Sequence, residues 1–223
     1  MIETYETAEA LADAAAMAIE AALEGALDAR GRAILVATGG RSPGPVYDRL
    51  ARADLDWAHV AVTLSDERHV DVSSPNSNGR LLRERLFVGP ASAAQYLPLT
   101  DYAERVLRKL MPFDAVMLGM GEDGHIASLI PGSPVMLQAM APYGALLTAE
   151  SPAGFGSPPV PRITLTLSAL LQSRAIFLLI AGEAKRQVIA QAANLGSGVG
   201  ADYPVTAILR QDRVPVRIFW TAN

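Results

Sequence analysis

The chain has 223 residues, half of them apolar, with a formal charge of -4, three histidines and no cysteine. That length can bury a sizeable core and suits a single α/β domain spanning 1–223, while the missing cysteines exclude disulfides, thiolate metal sites and a cysteine nucleophile. Scattered basic residues under a net negative charge give no field suited to a polyanionic backbone, which argues against nucleic acid but leaves room for a small anion held by a few converging cations.

The opening stretch "MIETYETAEALADAAAMAIEAALEGALDAR" lacks a basic n-region and carries acids through its apolar part, so it reads as an amphipathic helix rather than a signal peptide. No apolar run nears the roughly 20 residues that a membrane span requires. A cytoplasmic protein with no membrane partner is the expectation. "AILVAT" (Ala33 to Thr38) predicts a strand, and "GGRSPGPVYDRLAR" a turn and then a helix. "HVAVTL" (His59 to Leu64) predicts a second strand, followed by a polar loop leading into a helix from about Asn76. "DYAERVLRKL" reads as a helix and "FDAVMLG" (Phe113 to Gly119) as a strand. The proline- and glycine-rich segment Pro142 to Pro161 reads as a surface excursion carrying a short strand at Ala145 to Thr148. "RITLTL" and "AIFLLIAG" predict strands, "GEAKRQVIAQAANL" a helix and "VRIFW" (Val216 to Trp220) a final strand. Unbroken apolar strands separated by helices indicate a three-layer α/β architecture with a mostly parallel central sheet flanked by helices.

In such sheets ligands bind outside the carboxyl ends of the strands, and four segments fall there. In "ATGGRSPG", Gly39 and Gly40 let backbone N–H groups approach an anion and Ser42 offers a hydroxyl. The segment lacks the Lys-Ser/Thr ending of a nucleotide loop and the spacing of a dinucleotide loop, and an ordinary strand-to-helix turn would share its composition. In "LSDERHVDVSSPNSN", Asp66, Glu67 and Arg68 offer charge to orient a sugar hydroxyl, a phosphate or a catalytic group; alternatively the acids only neutralise Arg68 on the surface and the Ser-Ser-Pro-Asn run caps the next helix.

In "GMGEDGHIASLIPG", glycines including Gly121 leave room for a ligand against the backbone. His125 is expected at or near a helix start, where the helix dipole favours the neutral imidazole, with Asp123 two residues earlier as a tautomer-fixing partner or proton relay. A surface capping histidine is the bland alternative. Arg162 opens an apolar strand, and Lys185 falls in the first turn of a helix, where a bound phosphate or plain solvation would offset its charge. His59 and His69 read as structural, and no histidine pair has metal-site spacing, so no metal is expected.

Taken in order, these segments resemble the 6-phosphogluconolactonases of the glucosamine-6-phosphate isomerase/6-phosphogluconolactonase superfamily. The resemblance runs through "VATGGRSPGPVY", "TLSDERHV", "SNGRLLRERLF", "FDAVMLGMGEDGHIASLIPGS" and "PRITLTLSALLQSRAIFLLIAGEAKRQVI". It implies a Rossmann-like α/β fold, no cofactor, and hydrolysis of 6-phospho-D-glucono-1,5-lactone in the oxidative pentose phosphate or Entner-Doudoroff pathway by a monomer or homodimer. It also implies that His125 is the catalytic histidine with Asp123 its partner, that Gly39, Gly40 and Ser42 lie near the phosphate, and that Arg68, Arg162 and Lys185 surround the anionic substrate. Arg41 stands where serine is common, adding a cation to the phosphate loop. Asp71, Ser74 and Ile130 also depart from the usual pattern. The deaminase branch of the superfamily typically continues past Gly-His into Phe-Asn-Glu-Pro, whereas this chain continues "ASLIPGS". The missing glutamate favours the lactonase branch. A sugar-phosphate sensor without turnover and a structural scaffold are the readings from other classes.

Overall fold

Chain order builds a parallel sheet from segments that bury both faces. A computed structural model describes residues 2–100, 102–144, 146–194 and 203–223. The elements are β1 (Ile2–Tyr5), α1 (Ala8–Arg30), β2 (Ala33–Ala37), α2 (Pro43–Leu50), β3 (Val60–Leu64), β4 (Asp66–Arg68), α3 (Asn78–Arg85), β5 (Gln95–Tyr96) and α4 (Ala103–Leu110). They continue with β6 (Ala115–Gly119), α5 (Met136–Ala139), β7 (Thr148–Ser151), β8 (Arg162–Leu165), α6 (Leu167–Leu170), β9 (Ile176–Ala181), α7 (Glu183–Ala193), α8 (Pro204–Arg210) and β10 (Val216–Thr221).

The central sheet has seven strands in the order β1-β10-β9-β6-β2-β3-β5, all paired in parallel. Every residue of β2 and β3 is buried, as an apolar run covered by helices on both faces requires. From β2 the chain proceeds outward to β3 and β5, then returns to the other side of β2 with β6. Strand order therefore reverses between β2 and β6, and this reversal opens a crevice at their carboxyl ends. No helix among the described residues is long and apolar enough to cross a membrane.

Helix α1 shows how local chemistry sets an element's bounds. The Thr7 side chain accepts from the Ala10 N–H at its start, and Gly31, at φ 66°, closes its end with a bond to the Leu27 carbonyl. Leu11, Ala15, Ile19, Leu23 and Ala26 form its buried stripe. The strand β1 precedes it and pairs with β10, so the helix expected from the first residues begins only at Ala8. An edge strand of four residues has too short a pattern to distinguish from a helix start; its partner lies at the opposite end of the chain.

Three further expectations are corrected. Asp66 to Arg68, expected within a polar loop, form β4, which joins β8 and β7 in a separate three-stranded antiparallel sheet. The excursion strand begins at Thr148, not Ala145, because Thr148 to Ser151 face Leu165 to Arg162 while Leu147 is held by the Thr166 N–H. No helix starts at His125: residues 120 to 130 form turns and isolated bridges, and the next helix is α5. Helix α8 was not foreseen. Ala145, and the expected helix ends at Met1, Asp101 and Leu195, lie outside the described residues.

Asp114, just before β6, joins three parts of this frame. Its carboxylate accepts from the Ile34 N–H at 2.9 Å, pairs with Arg174 at 3.2 Å and is hydrogen-bonded by Arg30 at the end of α1. Asp114 is buried, so its loss would leave the Ile34 N–H unsatisfied inside the sheet. Asp114→Ala is expected to cost about 2 kcal/mol, read as a lower urea midpoint with an unchanged m-value.

Candidate active site

The loop after β2 is held from below by α2. Tyr47 is fully buried, and its hydroxyl donates to the Thr38 carbonyl at 2.5 Å while accepting from the Thr38 N–H at 2.9 Å. Burial pushes the phenol pKa far up, so it stays a neutral two-way clamp. Beyond the clamp run Gly39, Gly40, Arg41 and Ser42. A Cβ at Gly39 would overlap the Asn78 side-chain amide, so only glycine permits this approach. Ser42 occupies the N-cap of α2 without a side-chain capping bond, and Pro43 follows at the first helical position, as its fixed φ favours. The Ser42 hydroxyl is thereby left for a ligand.

The second wall comes from β4 and β8, whose antiparallel register sets Arg68 directly opposite Arg162 and Asp66 opposite Thr164. Asp66 is buried, and its carboxylate accepts from Ser128 Oγ at 2.6 Å and Ser65 Oγ at 3.1 Å, with Arg162 Nη1 at 3.9 Å. Arg162 also donates to the Pro158 carbonyl at 2.7 Å. Burial lowers the Arg162 pKa, as does the neighbouring Arg68 charge, while Asp66 opposes them. A guanidinium nevertheless remains charged at neutral pH. The Nε groups of both Arg68 and Arg162 are buried without a protein hydrogen-bond partner. Both residues line the cleft, so this wall presents two guanidinium charges to a ligand.

Glu67 does not neutralise the Arg68 side chain. Its carboxylate accepts from the N–H groups of Asn78 at 2.8 Å and Gly79 at 2.7 Å, and from Ser77 Oγ at 3.1 Å, so it caps the start of α3. The cap itself is Ser77, one residue beyond the Ser-Ser-Pro-Asn run expected to supply it, and its hydroxyl accepts from the Arg80 N–H.

The third wall is the turn after β6. The Gly121 N–H donates to the His125 carbonyl at 2.9 Å and the Gly124 N–H to the Gly121 carbonyl at 3.1 Å, so these amides close the turn itself and are not free for a ligand. Within it, His125 Nδ1 lies 2.6 Å from Asp123 Oδ1. A side chain at Gly121 would collide with both the imidazole and the Asp123 carboxylate. Burial raises the Asp123 pKa, but the hydrogen bond and charge of His125 outweigh it, and the carboxyl lies below its ordinary value. An ionised carboxylate only accepts, so Nδ1 carries the proton and Nε2 is the basic nitrogen. Asp123 thus fixes the tautomer, and with no helix starting at His125 no helix dipole acts on the imidazole. Ala127, at φ 50°, bends the chain back toward Ser128 and so toward Asp66.

These walls meet in one open cleft of about 500 Å³ at the β2/β6 reversal. Gly39, Gly40, Arg41, Ser42, Asp66, Arg68, Gly121, His125, Arg162 and Lys185 all line it; Asp123 stands behind His125. Lys185 enters from the first turn of α7, after Gly182 at φ 90°. Burial lowers its pKa most; Glu122 and Asp123 oppose that, and Arg41 adds to it. Asn78, Glu122 and Ser157 also line the cleft and were not anticipated as site residues. Asn78 had a signal in the Ser-Asn-Gly sequence that starts α3, whereas Ser157 lies in the excursion and reaches the site only through the fold.

Comparison with known proteins places this geometry in context. A 6-phosphogluconolactonase from Caulobacter vibrioides is 40% identical over 229 residues, covering 98% of this chain and 96% of the relative. One from Rhizobium meliloti is 38% identical, covering 97% and 96%. The crystal structure of a 6-phosphogluconolactonase from Shewanella baltica superposes with a TM-score of 0.90 at 36% identity, covering 100% of this chain and 97% of that one. The family model described as glucosamine-6-phosphate isomerases/6-phosphogluconolactonase matches residues 6–220, and the chain belongs to that family.

Proposed function

We propose that the chain hydrolyses 6-phospho-D-glucono-1,5-lactone to 6-phospho-D-gluconate, with His125 as general acid and base. The observation that carries this reading is the 2.6 Å Asp123 to His125 contact in a cleft that also holds the Gly39 to Ser42 loop, Arg162 and Lys185. One wall moves protons and the others hold an anion. Relatives at 38–40% identity that bear the lactonase name support the choice of substrate.

In this mechanism Nε2 of His125 takes a proton from water as the water oxygen bonds to C1 of the lactone. The carbonyl electrons move to oxygen, and the adjacent Arg68 stabilises the resulting charge, since the amides of Gly121 and Gly124 are committed to the turn. When the C1 to ring-oxygen bond breaks, the imidazolium returns its proton to the departing oxygen. Asp123 orients the ring and stabilises its cationic form throughout. Ser42, Arg41, Arg162 and Lys185 hold the phosphate, so that binding energy remote from C1 keeps the carbonyl against His125. No covalent intermediate is needed.

Hydrolysis of freshly generated lactone, followed by coupled oxidation of the 6-phosphogluconate formed, tests this reading against the spontaneous rate. Wild type is expected to accelerate the reaction; binding without acceleration would favour the sensor reading. His125→Ala should lower kcat by at least about 10² with an unchanged circular dichroism spectrum, and near-normal turnover would remove His125 from catalysis. Lys185→Ala should raise KM by a larger factor than it lowers kcat; an unchanged KM would take Lys185 out of the phosphate site.

Half-buried Lys185 gives up its proton below the ordinary lysine range, and only the ammonium attracts phosphate. Affinity for 6-phosphogluconate should therefore fall as pH rises through that lowered pKa. Titration calorimetry across the alkaline range should show this limb in wild type and not in Lys185→Arg, whose guanidinium stays charged.

A further inference from the structure

Resting on the lactonase reading, the charges around the cleft raise a question that the catalytic residues leave open. Hydrolysis converts an uncharged C1 carbonyl into a carboxylic acid, which releases a proton to solvent at neutral pH and leaves a carboxylate. The product therefore has two anionic ends where the substrate has one. Arg41, Arg68, Arg162 and Lys185 all line the cleft, so its cations favour the product over the substrate unless something opposes them at the C1 end.

Among the described residues, Asp66 and Glu122 line the cleft and Asp123 stands behind His125; Asp66 and Asp123 are engaged. Asp66 is held by Ser128 and Ser65 with Arg162 beside it, and Asp123 is held by His125. Glu122 is different. It is exposed, it lines the cleft, and among the described residues it makes no hydrogen bond or ion pair. The backbone bonds that close the turn from Gly121 to His125 place it beside the catalytic histidine. Its negative charge also favours the protonated form of Lys185.

We propose that Glu122 is a specificity-determining residue whose carboxylate repels the carboxylate formed at C1, so that the cleft discriminates against its own product. Lactone entering the site carries no charge at C1 and meets no such repulsion. Once the ring opens, the new carboxylate lies in the field of Glu122, and dissociation of the product is favoured. The same charge partly offsets Lys185 and Arg41, keeping them from holding both ends of the product at once.

The test compares two stable ligands of equal length. 6-Phosphogluconate carries the C1 carboxylate; glucitol 6-phosphate has a neutral hydroxymethyl group in its place. Dissociation constants of both are measured by calorimetry for wild type and Glu122→Gln. The expected result is that Glu122→Gln tightens 6-phosphogluconate about three- to tenfold more than it tightens glucitol 6-phosphate, the size of one partly screened charge pair, because any effect through Lys185 is common to both ligands. Equal shifts for both ligands, or none for either, would overturn the proposal, because Glu122 would then act on the phosphate or on nothing. Glu122→Ala, which removes the same charge with a different shape, must reproduce the Glu122→Gln ratio. Neither ligand reacts, so this ratio is read independently of the wild-type lactonase assay that decides the underlying function.

Discussion

The site depends on one buried carboxylate. Asp66 is almost wholly removed from water, and a carboxylate so placed must be met by donors or be very costly to bury. Its donors come from Ser65 at the end of β3 and Ser128 in the turn beyond β6, with Arg162 of β8 close by. Satisfying it therefore requires three distant segments to meet at one point. That meeting point is the floor of the cleft, and the same contacts that shield Asp66 set Arg162 and the far end of the His125 turn.

Around that floor the walls differ in how they are held. The Gly39 to Ser42 loop is clamped by a single buried phenol, Tyr47, and by the absence of a side chain at Gly39. Arg68 and Arg162 are held by a strand ladder that places two like charges opposite each other, an arrangement that costs free energy. An anion in the cleft that both residues line would relieve that cost. The His125 wall is local: its geometry arises within five residues, through two backbone bonds and the Asp123 carboxylate, which meets both the backbone N–H and Nδ1 of His125. A histidine–carboxylate pair built this way keeps its tautomer whatever the rest of the cleft binds.

Much of this was legible in the sequence because the relevant signals are short-range. The apolar runs of β2, β3, β6 and β9 and the glycine-rich turns at their ends mark a parallel sheet and its ligand-bearing edge. Asp123 and His125 are two residues apart, so their pairing needed no tertiary information to be suspected. What misled was also local. A glycine-rich turn after a strand commonly opens a helix, and here the bridge between Met120 and Ile126 and the left-handed Ala127 fold it back instead. Glu67 beside Arg68 reads as an ion pair, but the backbone N–H groups of Asn78 and Gly79 claim its carboxylate.

By itself the sequence determined the α/β class, the positions of the central strands, the histidine with its carboxylate partner and the roster of cations. These follow from periodicity, from glycine placement and from neighbours within a few residues, all of which act before the chain is folded. Only the tertiary structure decided that β4 is a strand, that it pairs with β8 to face Arg68 toward Arg162, that Asp66 is buried among serines, and that Glu122 and Ser157 reach the cleft. Each of those depends on partners far away in the chain. Antiparallel pairing and the burial of a charge are properties of two segments together, and neither segment carries them alone.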